Sequence, residues 1–179
     1  PETIRSRCRH IALEPVPRQT VVAELERRGT DPERAELVTR LTRGRIGQAI
    51  DLVNDEDALN ERRSRVETAL EMIRDPLAAL AEARRMADLY RRGQRERVQA
   101  EIDLLIGLWR DVLFDNVGRR DDIANIDAID ELASMGSGWQ LGEIRTALAA
   151  CYQALHDLSV NVQPRLALNT MVIQWPEPR

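Results

Sequence analysis

Apolar positions recur along most of the chain at intervals of three and four, the spacing of one helical face, and nowhere alternate as in a strand. From Arg18, the positions Val21, Val22 and Leu25 predict a short amphipathic helix ending near Gly29. Asp31-Pro32 restarts a helix, because Asp is a favoured N-cap and Pro suits the first helical position. Leu37, Val38 and Leu41 supply that helix's buried face, and Gly44 closes it. A third short helix carries Ile46, Ala49, Ile50 and Val53. Three short helices in about 40 residues make a small satellite bundle with little core of its own.

Beyond an acidic junction at residues 54–57 the predicted helices lengthen. One runs from about Ala58 to Arg74 with Val66, Leu70 and Ile73 inward. Asp75-Pro76 caps the next, whose face is Leu77, Leu80, Ala83, Ala87 and Tyr90. After a charged turn at residues 91–97, Ile102, Leu105, Ile106, Trp109, Val112 and Leu113 mark a strong helix. Ile123 to Met135 predicts a weaker one, ended by Gly136-Ser137-Gly138. Leu141, Ile144, Leu148, Cys151, Leu155 and Leu158 form a long stripe, and Gln163-Pro164 opens a last helix with Leu168, Met171, Val172 and Trp175. The expected fold class is all-α, a small three-helix bundle followed by a larger one of about six helices. Residues 1–13 lack the helical period, and Pro15 and Pro17 follow, so that stretch predicts an extended strand end and a linker.

Composition narrows the chemistry. Hydrophobic residues are 43% and charged residues 31% of the 179, enough apolar surface for a core. Aromatics are only 3%, so that core rests on aliphatic side chains. All 26 basic residues are arginine, which excludes a P-loop lysine or a Schiff-base lysine in this chain. Residues 1–50 hold 10 arginines against 7 acids, and residues 51–179 hold 16 against 23. The acidic second part argues against a broad nucleic-acid footprint there. Two cysteines, Cys8 and Cys151, are too few for a disulfide scaffold, and a reducing, cytoplasmic setting is expected. No apolar run reaches the roughly 20 residues that span a bilayer, and no signal peptide is visible. The start at Pro1 reads as a fragment of a longer protein.

Several clusters have plain readings. Asp55-Glu56-Asp57 and Asp121-Asp122 fall at predicted helix starts, where anions favour the macrodipole. Arg84-Arg85, Arg91-Arg92 and Arg95-Arg97 are interleaved with Glu82, Asp88 and Glu96, as in a solvated face with intrahelical pairs. Cys8–His10 and Cys151–His156 lack the paired spacing of a zinc site, and no metal is expected. Trp109, Trp139 and Trp175 read as core or subunit-interface anchors; Trp139, beside the glycine break, and Trp175 are the interface candidates.

One stretch suggests more. Ile4-Arg5-Ser6-Arg7-Cys8 contains a Ser-Arg-Cys triplet, and Leu41-Thr42-Arg43-Gly44-Arg45-Ile46-Gly47-Gln48-Ala49-Ile50-Asp51-Leu52 follows at a fixed order of elements. The chain resembles the clamp-loader subunits of the AAA+ family, in particular the delta-prime type of bacterial DNA polymerase III. In that family the triplet ends the nucleotide-binding domain and the second segment is a lid motif. Asn161-Val162-Gln163-Pro164-Arg165-Leu166-Ala167-Leu168 is similar to the closing helix of its collar domain. The resemblance implies residues 1–13 as the tail of the AAA+ domain, 14–54 as the lid, and 55–179 as a helical collar that assembles the ring.

The resemblance also implies a chemistry. Arg7 would be an arginine finger, lent in trans to ATP held by a neighbouring subunit. A guanidinium is charged at any working pH, and its fork matches phosphoryl oxygens on which charge builds up during transfer. Ser6 and Cys8 would set the strand-end geometry. Gly44, Gly47 and Gln48 belong to the lid motif; Gly47 occupies the position where ATP-binding members carry a sensor arginine, which implies a subunit that does not hydrolyse ATP. A shifted register would put Arg45 or Arg43 in that role instead. No cofactor bound by this chain itself is implied. The implied partners are the gamma/tau and delta subunits, with the sliding clamp and primed DNA reached through the whole assembly during DNA replication. Two alternatives stay open: a gamma/tau-type ATPase subunit, and a helical scaffold unrelated to ATP. A helical DNA-binding protein is a further one, opposed by the acidic second part.

Overall fold

The computed structural model describes residues 16–177. Asp31, Asp55 and Asp75 each close a helix start in it. Asp31 accepts from the N–H groups of Glu33 (3.0 Å) and Arg34 (3.2 Å). Asp55 accepts from Ala58 N at 2.9 Å and Asp75 from Leu77 N at 2.8 Å. These bonds satisfy amides that a helix cannot pair internally. Among the described residues the secondary structure is all-helical, with nine α-helices and no strand.

The chain forms two compact units, one ending at Asn54 and the other starting at Asp55. The first contains α1 (Arg18–Arg27), α2 (Pro32–Thr42) and α3 (Ile46–Val53). Val21, Leu25, Ala35, Val38 and Ala49 are its fully buried apolar residues. Polar links brace so small a core. Glu36 pairs with Arg18 and Arg40, and Arg34 donates to the Val53 carbonyl at the end of α3 (2.8 Å). Arg27 and Arg28 both donate to Glu24, and those bonds hold its carboxyl down at about 2.

The second unit contains α4 (Glu56–Arg74), α5 (Pro76–Arg91), α6 (Arg95–Asn116), α7 (Ile129–Gly136), α8 (Leu141–Ser159) and α9 (Pro164–Ile173). Helix α6 is the axis and packs against α4, α5, α7 and α8. Its stretch Leu105 to Trp109 is buried without interruption, so the helix is enclosed on all sides there. Helix α9 lies on α5 and α8. Tyr90 on α5 donates to the carbonyl of Leu158 at 3.0 Å, fastening the end of α8.

Four expectations need correction. The helix expected over Ile123 to Met135 is only α7, preceded by a short 3-10 turn at Arg120–Asp122 and an irregular segment. The cause is Asp111 on α6, which is fully buried. Its carboxylate accepts from Ala124 N (3.2 Å), Asn125 N (2.7 Å) and Asn125 Nδ2 (2.7 Å), which takes those amides away from helix formation. Asp121-Asp122 therefore starts no α-helix, and Asp122 pairs with Arg119 instead.

Leu77, expected on the buried face of α5, is 76% exposed. The core side of α5 is Ala79, Ala83, Met86 and Ala87, and Leu77 lies about 200° round from Ala79 at 3.6 residues per turn. On α8 the buried face is Ile144, Ala147, Ala150, Cys151, Ala154 and Leu158; Leu148 and Leu155 are half-buried and Leu141 is exposed. Alanines thus fill positions where the leucine stripe was expected.

The Asp111 clasp extends outward. Arg62 on α4 donates to Asn125 Oδ1 at 2.7 Å and pairs with Asp127, so one chain of polar contacts joins α4, the irregular segment and α6. Burying a carboxylate is costly unless donors replace its water, and here three do. Asp111→Ala would strand the Ala124 and Asn125 amides in the core. It is expected to lower stability by about 3 kcal/mol, read by urea denaturation.

Candidate functional site

Two places carry the residues singled out in the sequence. The first is the turn between α2 and α3. Arg43 (φ 50°) and Gly44 (φ 77°) are both left-handed, so the chain reverses within two residues. Gly44 is buried, and its carbonyl accepts from Val16 N at 2.8 Å. A side chain at φ 77° would be strained, which accounts for this glycine.

Gly47 is a different case. It is exposed, its backbone is helical, and a Cβ built on it meets nothing within 4 Å. Neither packing nor conformation requires glycine there, and a long side chain would have room. Gln48 is likewise exposed. Helix α3 starts with no side-chain cap and no acidic residue in its first turn. Among the described residues no side chain caps its first amides, and their partial positive charge is chemically suited to an anion.

Arg7, Ser6 and Cys8 lie outside the described residues.

The second place is the tryptophan cluster of the larger unit. Trp109 on α6 is fully buried and Trp139 is 3% exposed, with ring centroids 5.2 Å apart. Trp175 meets Trp109 edge-on at 5.6 Å. Such tilted and T-shaped contacts suit aromatic quadrupoles. The structure places Trp139 inside the bundle, not on its surface, and Trp175 half-buried just beyond α9. Trp139 Nε1 donates to the Glu177 carbonyl at 2.8 Å. Gly136 makes this possible: a Cβ there would sit 3.2 Å from the Trp139 ring and 3.3 Å from Val112.

Cys151 is buried beneath this cluster, as expected of a core thiol. Burial pushes its pKa up to about 12, opposed in part by the Trp175 indole beside it. Among the described residues no group of three His, Cys, Asp or Glu could hold a metal ion. No helix among them is long and apolar enough to cross a membrane.

The intrahelical pairs expected on the arginine-rich helices are present at Arg85–Glu82 and Arg91–Asp88. Arg95 lies over the Tyr90 ring at 5.2 Å. The clasp of Arg62, Asp111 and Asn125 was missed. Its signal was available: Asp111 stands next to the buried positions Trp109 and Val112, where a solvated carboxylate has no place.

Comparison of the chain with models of protein families, with curated proteins and with solved structures gives no match.

The two glycines yield opposite expectations. Gly136→Ala is expected to cost about 1–2 kcal/mol, because the buried Trp139 ring cannot yield without disturbing Trp109. Gly47→Ala is expected to stabilise the protein by about 0.5–1 kcal/mol through reduced chain entropy and better helix propensity. Paired urea titrations with circular dichroism read both.

Proposed function

We propose that the chain is the C-terminal part of a non-hydrolysing clamp-loader subunit, of the delta-prime type, that assembles the ring and stimulates ATP hydrolysis at a neighbour. The observation that carries this reading is the order of elements. A Ser-Arg-Cys triplet at residues 6–8 precedes a three-helix unit in which the Arg43–Gly44–Arg45–Ile46–Gly47 run forms the α2–α3 turn and the start of α3. A larger six-helix bundle follows.

Gly47 supports the non-hydrolysing role. The position has room for an arginine, and the chain carries none there although arginine is abundant elsewhere. A subunit without an arginine at this position lacks the group that would reach the phosphates of a nucleotide of its own. Arg7 then acts on the neighbour's ATP, where a guanidinium aimed at the transferring phosphoryl group stabilises developing charge. The larger bundle joins the gamma/tau and delta partners, in a reducing, cytoplasmic compartment.

The test uses full-length protein in a reconstituted ring, with clamp- and DNA-stimulated ATPase as the readout and size-exclusion chromatography as the assembly control. Arg7→Ala is expected to lower turnover by about 10³-fold or more at the one ATP site it faces, the scale of a lost trans arginine, and so to remove that site's share of the turnover of an intact ring. Unchanged turnover in an intact ring would remove the trans-arginine role and leave a helical scaffold.

A further inference from the structure

The ion pairs of the arginine-rich helices do not use up their charge. Residues 91–97 span the end of α5, the turn and the start of α6. They are exposed throughout and carry Arg91, Arg92, Arg95 and Arg97 against a single acid, Glu96. Arg91 is taken by Asp88. Among the described residues, Arg92, Arg97 and, on α9, Arg165 form no ion pair. Asp88 is already committed: the bond from Arg91, with the charges of Arg92 and Arg165 nearby, holds its carboxyl below the usual range. Residues 51–179 as a whole are acidic, so this elbow is a local excess of positive charge.

The backbone of the elbow is fixed. Gly93 N donates to the Tyr90 carbonyl and Gln94 N to the Leu89 carbonyl, both at 3.1 Å. Arg95 lies over the Tyr90 ring at 5.2 Å, and the Tyr90 hydroxyl donates to the Leu158 carbonyl at 3.0 Å. A guanidinium laid over a ring keeps its in-plane N–H donors free. The Tyr90 bond also brings the end of α8 to the elbow. Helix α9 starts just beyond, at Pro164, and packs on α5, which puts Arg165 at the same end of the bundle. Arg97 gains nothing from the helix it begins, since the positive end of a helix favours acids.

We propose that this elbow, with Arg92, Arg95, Arg97 and Arg165, is a narrow contact for the phosphodiester backbone of nucleic acid. Guanidinium forks match phosphate oxygens, and a backbone contact needs charge but no apolar pocket. A protein partner is held by apolar anchors, and the run Arg-Arg-Gly-Gln-Arg-Glu-Arg at 91–97 contains no apolar side chain. So few charges make a local contact rather than a broad footprint, in keeping with the acidity of the rest of the unit. The inference stands apart from the role proposed for Arg7, because it needs neither a ring nor ATP.

The experiment is fluorescence anisotropy of a fluorescein-labelled oligothymidylate of about 20 nucleotides with the intact chain, across a series of NaCl concentrations. Binding is expected at about 50 mM NaCl. Log Kd should rise with log salt at a slope of about 2–3, the value for three or four phosphates at about 0.7 each on a single strand. Arg92→Gln with Arg97→Gln is expected to weaken binding about tenfold or more at that salt and to flatten the slope by about 1.4. Arg120→Gln with Arg145→Gln makes the same change of net charge away from the elbow, Arg120 lying beyond the far end of α6, roughly 30 Å along at 1.5 Å per residue. That pair is expected to leave the slope unchanged. All four residues are exposed, and circular dichroism confirms that both variants keep the fold. No binding at low salt would overturn the proposal. So would an equal loss from the two pairs, or an elbow variant whose slope stays at the unsubstituted value. Poly-glutamate bound as tightly as the oligonucleotide would also overturn it, in favour of an acidic protein partner.

Discussion

Helix α6 is enclosed over its middle turns, and the enclosure includes a carboxylate. A fully buried Asp111 has to find donors inside the protein, because water cannot reach it. It takes them from Ala124 and Asn125, so the segment after α6 is pulled out of helical form and laid against its own predecessor. Asn125 in turn receives Arg62 from α4. The order of packing in the larger unit follows from this one obligation. Helix α7 starts only at Ile129, and the next turn brings Trp139 back onto Trp109. Apolar burial supplies the driving force, but it is non-directional; the clasp supplies the register.

Much of this fold was legible in the residue pattern, for identifiable reasons. The caps at Asp31, Asp55 and Asp75 act within a single turn, so local sequence decides them. The faces of α4 and α6 were legible because large aliphatic residues repeat at helical spacing there. The pattern failed where a small residue did the burying. On α8 the alanines 147, 150 and 154 face the core, and a reading weighted toward leucine rotates the helix. It failed again at Ile123 to Ala128, where a tertiary hydrogen bond from a residue more than ten positions away overrides local propensity. The candidate site was legible only in part. Spacing marks Gly44 and Gly47 equally, and only the backbone angles and the surrounding space separate them: Gly44 is needed by the turn, whereas Gly47 is free of any such need.

That distinction bears on how the small unit is read. Most of its residues are explained by holding three short helices together: Val21 and Leu25 by burial, Glu36 by its arginine partners, Arg34 by the end of α3. Gly47 and Gln48 are explained by none of this, and they sit in the first turn of α3, which no side chain among the described residues caps. A residue unneeded by the fold at a position of favourable electrostatics can change while the scaffold stays intact.

The tryptophan cluster has an optical consequence. All three tryptophans of the chain stand at positions 109, 139 and 175, and the two tyrosines and one phenylalanine also lie beyond Asn54. Indole emission therefore reports on the larger unit alone, from rings close enough to share excitation. The three-helix unit has no such chromophore and is silent in fluorescence and in the near ultraviolet. Its melting registers only in the amide absorption of its helices, so a divergence between those two signals on heating would separate the units without any label.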